Sequence, residues 1–289
     1  LQLHSSSKLQ LHSSSKLQLH SSSKLQLHSS SKSKINKTVK CNITVNKKKC
    51  PSGPVICLTD RCSQNTTWKN ADFRKHILMK HNRIREKLCV PVTDLNLRCL
   101  NTIELVWSEE LELGALRWLQ HICVTRNFTL PNAHCMPTYS FDTVSQSMLP
   151  MPFYWKNASA FADAVEQEWN PYNDPGLWST DLQTYKGFIY PERIQLIWAR
   201  TYALGCAAIK MPNAGKDDTF LLCNYSPAGN IIGQLVCKLG TRPNLECPAG
   251  TIQKVGQKYN ICHIENERKV RETLGVKSLL GTTSSVRRQ

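Results

Sequence analysis

Thirteen cysteines are the residues with the most chemistry to offer in this chain, and two uses compete for them. Structural zinc needs thiolates in close pairs, Cys-x-x-Cys followed by a second pair. No Cys-x-x-Cys occurs here. The cysteines instead spread from Cys41 to Cys262, which suits a disulfide framework made in an oxidising compartment. Asn-x-Ser/Thr acceptors stand at Asn36, Asn42, Asn65, Asn127, Asn157 and Asn224. One such tripeptide means little, but six beside thirteen cysteines point to a secreted glycoprotein.

The histidines offer less. Four of the nine, His4, His12, His20 and His28, fall in four identical copies of Leu-Gln-Leu-His-Ser-Ser-Ser-Lys across residues 1–32. Such a segment has too little apolar surface to offset the entropy of ordering, so it reads as a disordered low-complexity arm. The perfect identity suits a recent tandem duplication or a gene-model error better than a metal-chelating array. No Ser-His-Asp or Cys-His order with a supporting motif is present, so no nucleophilic machinery is expected.

Charge is uneven. Eleven lysines and Arg61 oppose Asp60 within residues 1–70, which places +11 of the net +16 there. A basic arm of this kind suits an anionic surface, such as a sulfated glycan or lipid headgroups. No nucleic-acid motif accompanies it. No run of eighteen apolar residues exists, so no transmembrane segment is expected. The chain starts at Leu1 without a visible leader, and the expectation is a processed N-terminus or a fragment.

The elements that position these residues follow from periodicity. Phe73, Ile77, His81, Ile84 and Leu88 share one face of a helix over 71–88, capped by Asn70. Ser108 caps a second helix over 109–123, with Glu109 and Glu110 at its positive end and Leu111, Ala115, Trp118 and Ile122 as its apolar stripe. A third spans 158–169, stopped by Pro171. The period then shortens to 2. Ile194, Leu196 and Trp198 alternate through 193–199, which predicts a strand. Residues 204–210 and 219–225 make a hairpin about the turn at 212–215, and 233–239 a further strand. Helices followed by strands predict an α+β layer architecture. A Cys-rich segment (33–69) precedes the main domain (70–239). A small disulfide-closed extension (240–265) and a loose tail (266–289), with a short helix near 265–274, follow it.

Four motifs in order then carry a resemblance. They are His81-Asn82-x-x-Arg85, Trp107-Ser-Glu-Glu-Leu111 running to Cys123, Leu196-Ile-Trp198-Ala followed by Leu204-Gly-Cys206-Ala, and Leu222-Cys223-Asn224-Tyr225-Ser-Pro-Ala-Gly-Asn230. Together they resemble the CAP superfamily of cysteine-rich secretory, antigen-five and pathogenesis-related proteins, closest to the arthropod venom-allergen branch. The resemblance implies a three-layer α-β-α sandwich. It implies the disulfides Cys41–Cys57, Cys50–Cys135, Cys62–Cys123 and Cys206–Cys223, and the similar C-terminal extension suggests Cys247–Cys262. Cys89 and Cys99 flank nine residues and can close a loop. Cys237 is then left over, as a free thiol or an intermolecular link.

Many members of that superfamily hold two His and two Glu in an open cleft, a donor set suited to a divalent metal. In this chain one His position reads Glu192, one Glu position reads Gln146, and the third-helix Glu falls near Pro171. Only His134 matches, with shifted spacing. No metal and no cofactor are therefore expected. The resemblance implies a non-enzymatic secreted binding or effector module with an unidentified lipid, small-molecule or protein ligand. A cleft-based hydrolase, and a structural protein cross-linked through Cys237, are the alternatives.

Overall fold

One four-stranded sheet separates the helices into two layers. The computed structural model describes residues 71–90, 97–125, 128, 130, 138, 140–151, 157–170, 184–187, 191–213, 216–254 and 260–276. All of these belong to one compact unit.

The sheet is built on an antiparallel hairpin of β4 (Ala203–Asn213) and β5 (Lys216–Ser226). Elsewhere in the chain, β1 (Arg98–Cys99) and β2 (Val106–Trp107) are short, and β3 (Ser145–Met151) is longer. β2 adds parallel to β4 and β3 adds antiparallel to β5, in the order β2-β4-β5-β3. Successive strand side chains point to opposite faces. Leu204, Cys206, Ala208, Leu221, Cys223 and Tyr225 accordingly enter one core, while Ala207, Ile209 and Leu222 enter another.

The first core is covered by α1 (Ala71–Leu88), α3 (Ala158–Trp169) and α4 (Pro191–Ile197). The second is covered by α2 (Glu109–Thr125). The result is the three-layer α-β-α sandwich. Ser108 caps α2 through its Oγ, which accepts from Leu111 N at 3.3 Å. Along the expected stripe of α2, Leu111, Ala115 and Ile122 are buried and Trp118 is half-buried. Gly205 lets α2 approach the sheet, since a Cβ there would lie 2.2 Å from Glu112 N and 2.5 Å from Ser108 O.

Two expected strands are corrected. Residues 191–197 form α4, because Gln195 is buried together with Ile194, Leu196 and Ile197. With every side covered, alternation carried no information, and Pro191 in the first helical position was the better signal. Residues 233–238 are a turn and its exit, fixed by Gln234 N donating to Ile231 O and by Gly233 at φ +81°. Only β6 (Leu239–Gly240) is strand, paired with β1.

The C-terminal extension packs on the segment before β2. Its hairpin of β7 (Thr251–Gln253) and β8 (Cys262–Ile264) gives Cys262 N to Thr102 O and receives Glu104 N on Cys262 O. His263 Nδ1 lies 2.5 Å from Glu104 Oε2. Helix α5 (Glu267–Leu274) follows, capped by Asn266 and ended by Gly275 in the left-handed region. Val270 of α5 joins Ile103, Leu111, Phe141, Val144 and Tyr202 in a third apolar cluster.

Candidate functional site

The motif residues converge on a buried network between α1 and the sheet. Helical spacing puts His81 and Arg85 on the buried face of α1, one turn apart. His81 Nδ1 donates to the Ile77 carbonyl at 2.8 Å, which leaves Nε2 to accept from the Tyr225 hydroxyl at 3.0 Å. The imidazole packs edge-on to Trp169 with centroids 5.9 Å apart. Burial holds the His81 pKa down at about 4, with the Arg85 charge a smaller contribution in the same direction. Burial likewise pushes the Tyr225 phenol far above its ordinary value. Both groups are therefore neutral at physiological pH.

Asn82 and Arg85 tie α1 to the rest of the chain. The Asn82 side chain exchanges two hydrogen bonds with the backbone of Leu105, at 2.9 and 2.8 Å. Arg85 is fully buried and donates to the carbonyls of Ile103, Leu196, Trp198, Ala199 and Thr201. Burial lowers its pKa to about 9, so the guanidinium remains charged at neutral pH. Its compensation comes from carbonyl dipoles, with no ion pair among the described residues.

A second set of contacts closes the edge near β3. Gln195 Oε1 accepts from Ser145 Oγ at 2.5 Å and from Gly229 N at 2.8 Å, and its Nε2 donates to Thr201 Oγ1 at 3.1 Å. Thr201 Oγ1 donates in turn to Pro227 O. A Cβ on Gly229 would collide with the Trp198 ring at 2.6 Å, so this loop needs a glycine there. The sequence reading overlooked the role of Gln195, because alternation made it look outward-facing. Ser145 and Thr201 carried no signal at all.

Two of the four superfamily metal positions, Gln146 and Glu192, fall among the described residues. Gln146 points to the α2 side, where its Nε2 donates to Asn224 Oδ1 at 2.8 Å, and its Oε1 is buried without a partner. Glu192 lies half-buried in the first turn of α4. His134 lies outside the described residues. An amide oxygen and one carboxylate do not make a metal site. Among the described residues, the single cluster of metal-ligating types is His81 with Cys206 and Cys223. Those two cysteines are bonded to each other, so their sulfurs are not free thiolates.

The disulfides revise the expected bookkeeping. Cys206–Cys223 crosses the central hairpin, and Cys247–Cys262 closes the extension. Cys99 bonds to Cys237, and neither pairs with Cys89. Cys89 is the free, buried thiol among the described residues. The loop-closing pair Cys89–Cys99 is thus incorrect: register pairs Cys99 with Leu239, which brings Cys237 alongside, whereas Cys89 ends the buried face of α1. Cys123 is bonded, while Cys41, Cys50, Cys57, Cys62 and Cys135 lie outside the described residues. So do the acceptors Asn36, Asn42, Asn65 and Asn127.

Residues 78–225, just over half of the chain, match the model of the family described as "CAP: Cysteine-rich secretory protein family". GLIPR1-like protein 1 from Mus musculus is 28% identical over 155 residues, covering 53% of this chain and 58% of that protein. The chain thus spans less than two thirds of that relative. Scoloptoxin SSD43 from Scolopendra dehaani is 26% identical over 205 residues, 68% of this chain and 92% of that one. Venom allergen 5 from Polistes fuscatus is 26% identical over 186 residues, 56% and 77% respectively. Among solved structures, that of Na-ASP-1 covers 71% of this chain and 50% of its own, at 20% identity and a TM-score of 0.49. The family match and the motif network together place this chain in the cysteine-rich secretory protein (CAP) family.

Proposed function

We propose that this chain is a secreted, non-enzymatic binding or effector module. One observation carries the reading: the motif side chains are spent on the fold. Both ring nitrogens of His81 are engaged, and Asn82, Arg85, Gln195, Asn224 and Tyr225 are buried in internal hydrogen bonds. A general base must reach the proton it abstracts, and none of these groups is presented to a substrate. The altered metal positions support the same reading, because a neutral amide replaces a carboxylate at Gln146. The disulfides and the family support secretion. No described helix is long and apolar enough to cross a membrane.

Cross-linking through Cys237 loses its basis, since that cysteine bonds to Cys99. The decisive comparison is between turnover and binding. Purified full-length chain is assayed on ester, peptide and glycoside substrates, with and without added zinc, and in parallel for thermal stabilisation by sterols, fatty acids and soluble metabolites. The expected outcome is a ligand-dependent rise in Tm without hydrolysis. Hydrolysis that disappears in His134→Ala would establish the cleft-based hydrolase instead. The lysine-rich segment within residues 1–70 supports an additional affinity for anionic surfaces, checked by heparin retention before and after its lysines are replaced by glutamine.

A further inference from the structure

Six large apolar side chains are exposed among the described residues, and three of them lie within five positions: Ile231, Ile232 and Leu235, at 43%, 73% and 55% exposure. They occupy a turn that is held rigidly. Gln234 N donates to Ile231 O at 3.0 Å and Gly233 has φ +81°, which is the geometry of a type II turn with Ile232 at its corner. Tyr185 clamps the turn from beside it, giving its N–H to Gln234 O and accepting from Gly233 N, both at 2.9 Å. Before the turn, Asn230 Nδ2 donates to Pro191 O. After it, Val236 and Cys237 are buried and the Cys99–Cys237 bond fixes the exit.

Cations flank this apolar tip. Ile232 packs over Gly187, which places the exposed Lys186 next to the corner of the turn. Arg200, also exposed, gives one N–H to the Leu274 carbonyl at 3.4 Å and lines a cavity of about 220 Å³ together with Ile231 and Gln234. Asp142 at the same cavity is half-buried.

From this juxtaposition we infer that the turn 231–235 docks the protein on anionic lipid bilayers, with Ile232 and Leu235 entering the interface and Lys186 and Arg200 meeting headgroup phosphates. An apolar turn of five residues is too small for a stable protein interface, which takes about 800 Å² from each partner. It suits a bilayer, where a few aliphatic groups and adjacent cations act together. The clamped backbone means little conformational freedom is lost on docking. The inference stands whether or not the chain also binds a small ligand.

The test uses the full chain and vesicles of phosphatidylcholine alone or mixed with phosphatidylserine. Cosedimentation is expected with the anionic vesicles, weakened about tenfold by Ile232→Ser and further by Leu235→Ser. Both sites are exposed, so the unfolding midpoint should not move. The basic residues 1–70 can also hold the chain to anionic vesicles, so insertion is read separately. In Ile232→Trp, the introduced indole should be quenched by lipids brominated on their acyl chains. Vesicle binding without that quenching, binding unchanged by the two serine substitutions, or no vesicle binding at all would each overturn the inference.

Discussion

The Tyr225 hydroxyl stands 3.0 Å from Nε2 of His81, and the other ring nitrogen of His81 is already committed to the Ile77 carbonyl. The pair links the first motif, on α1, to the last, on β5. A protonated imidazole cannot accept from Tyr225, and burial opposes the charge in any case. The His81 proton equilibrium is therefore displaced from 6.5 in the unfolded chain to about 4 in the folded one.

That displacement has a definite sign. Between about pH 6.5 and 4 the unfolded chain binds a proton that the folded chain refuses, so stability rises with pH across this window and is lost on acidification. The full effect amounts to about 3 kcal/mol. Urea unfolding with disulfides intact, at several pH values from 4 to 7, should show a steeper acid loss for the natural chain than for His81→Gln. Parallel slopes would remove His81 from the account.

Arg85 should be costlier to lose. Arg85→Met leaves the carbonyls of Ile103, Leu196, Trp198, Ala199 and Thr201 without their shared donor in a buried site. The expected destabilisation is about 3–5 kcal/mol. Arg85→Lys should recover little of it, because one ammonium cannot serve carbonyls spread over two segments. Unfolding midpoints of the two variants check this, and a lysine variant close to the natural chain would contradict it.

The helices α1, α2 and α3 were legible because each buries one face and leaves the other in water, so a 3.6-residue period survives in the sequence. The hairpin of β4 and β5 was legible because its strands alternate between two separate cores. Residues 191–197 were not, since a segment covered on every side has no periodic contrast to read. The site was half legible for a related reason. Motif resemblance located His81, Asn82, Arg85, Asn224 and Tyr225, but which bonds they make depends on residues far off in the chain, such as Leu105 and Gln195. Cysteine pairing depends on strand register, which no spacing between Cys89, Cys99 and Cys237 encodes.

The sequons at Asn157 and Asn224 should behave oppositely. Asn157 is exposed and caps α3 through Oδ1, which accepts from Ala160 N, so Nδ2 takes no part in the cap. Asn224 is 1% exposed, and its Nδ2 donates to Leu111 O at 2.9 Å. A glycan on that nitrogen would have to displace α2 from the sheet. Enzymatic deglycosylation in heavy-oxygen water should mark Asn157 and leave Asn224 unmarked. Asn224→Ala should lower stability by about 1–3 kcal/mol, since it also strands Gln146.

The free thiol should be chemically silent until the fold opens. Cys89 is fully buried at the end of α1, where burial pushes its pKa up to about 11 despite the opposing pull of Thr102 and Arg85. The thiolate is the reactive form, so neither access nor ionisation favours modification at neutral pH. Iodoacetamide should leave Cys89 untouched in the native protein and label it once guanidinium is added without reductant. Peptide mapping of the same unfolded sample should recover Cys99 bonded to Cys237. Native-state labelling of Cys89, or a Cys89–Cys99 peptide, would show instead that the end of α1 is not packed as described.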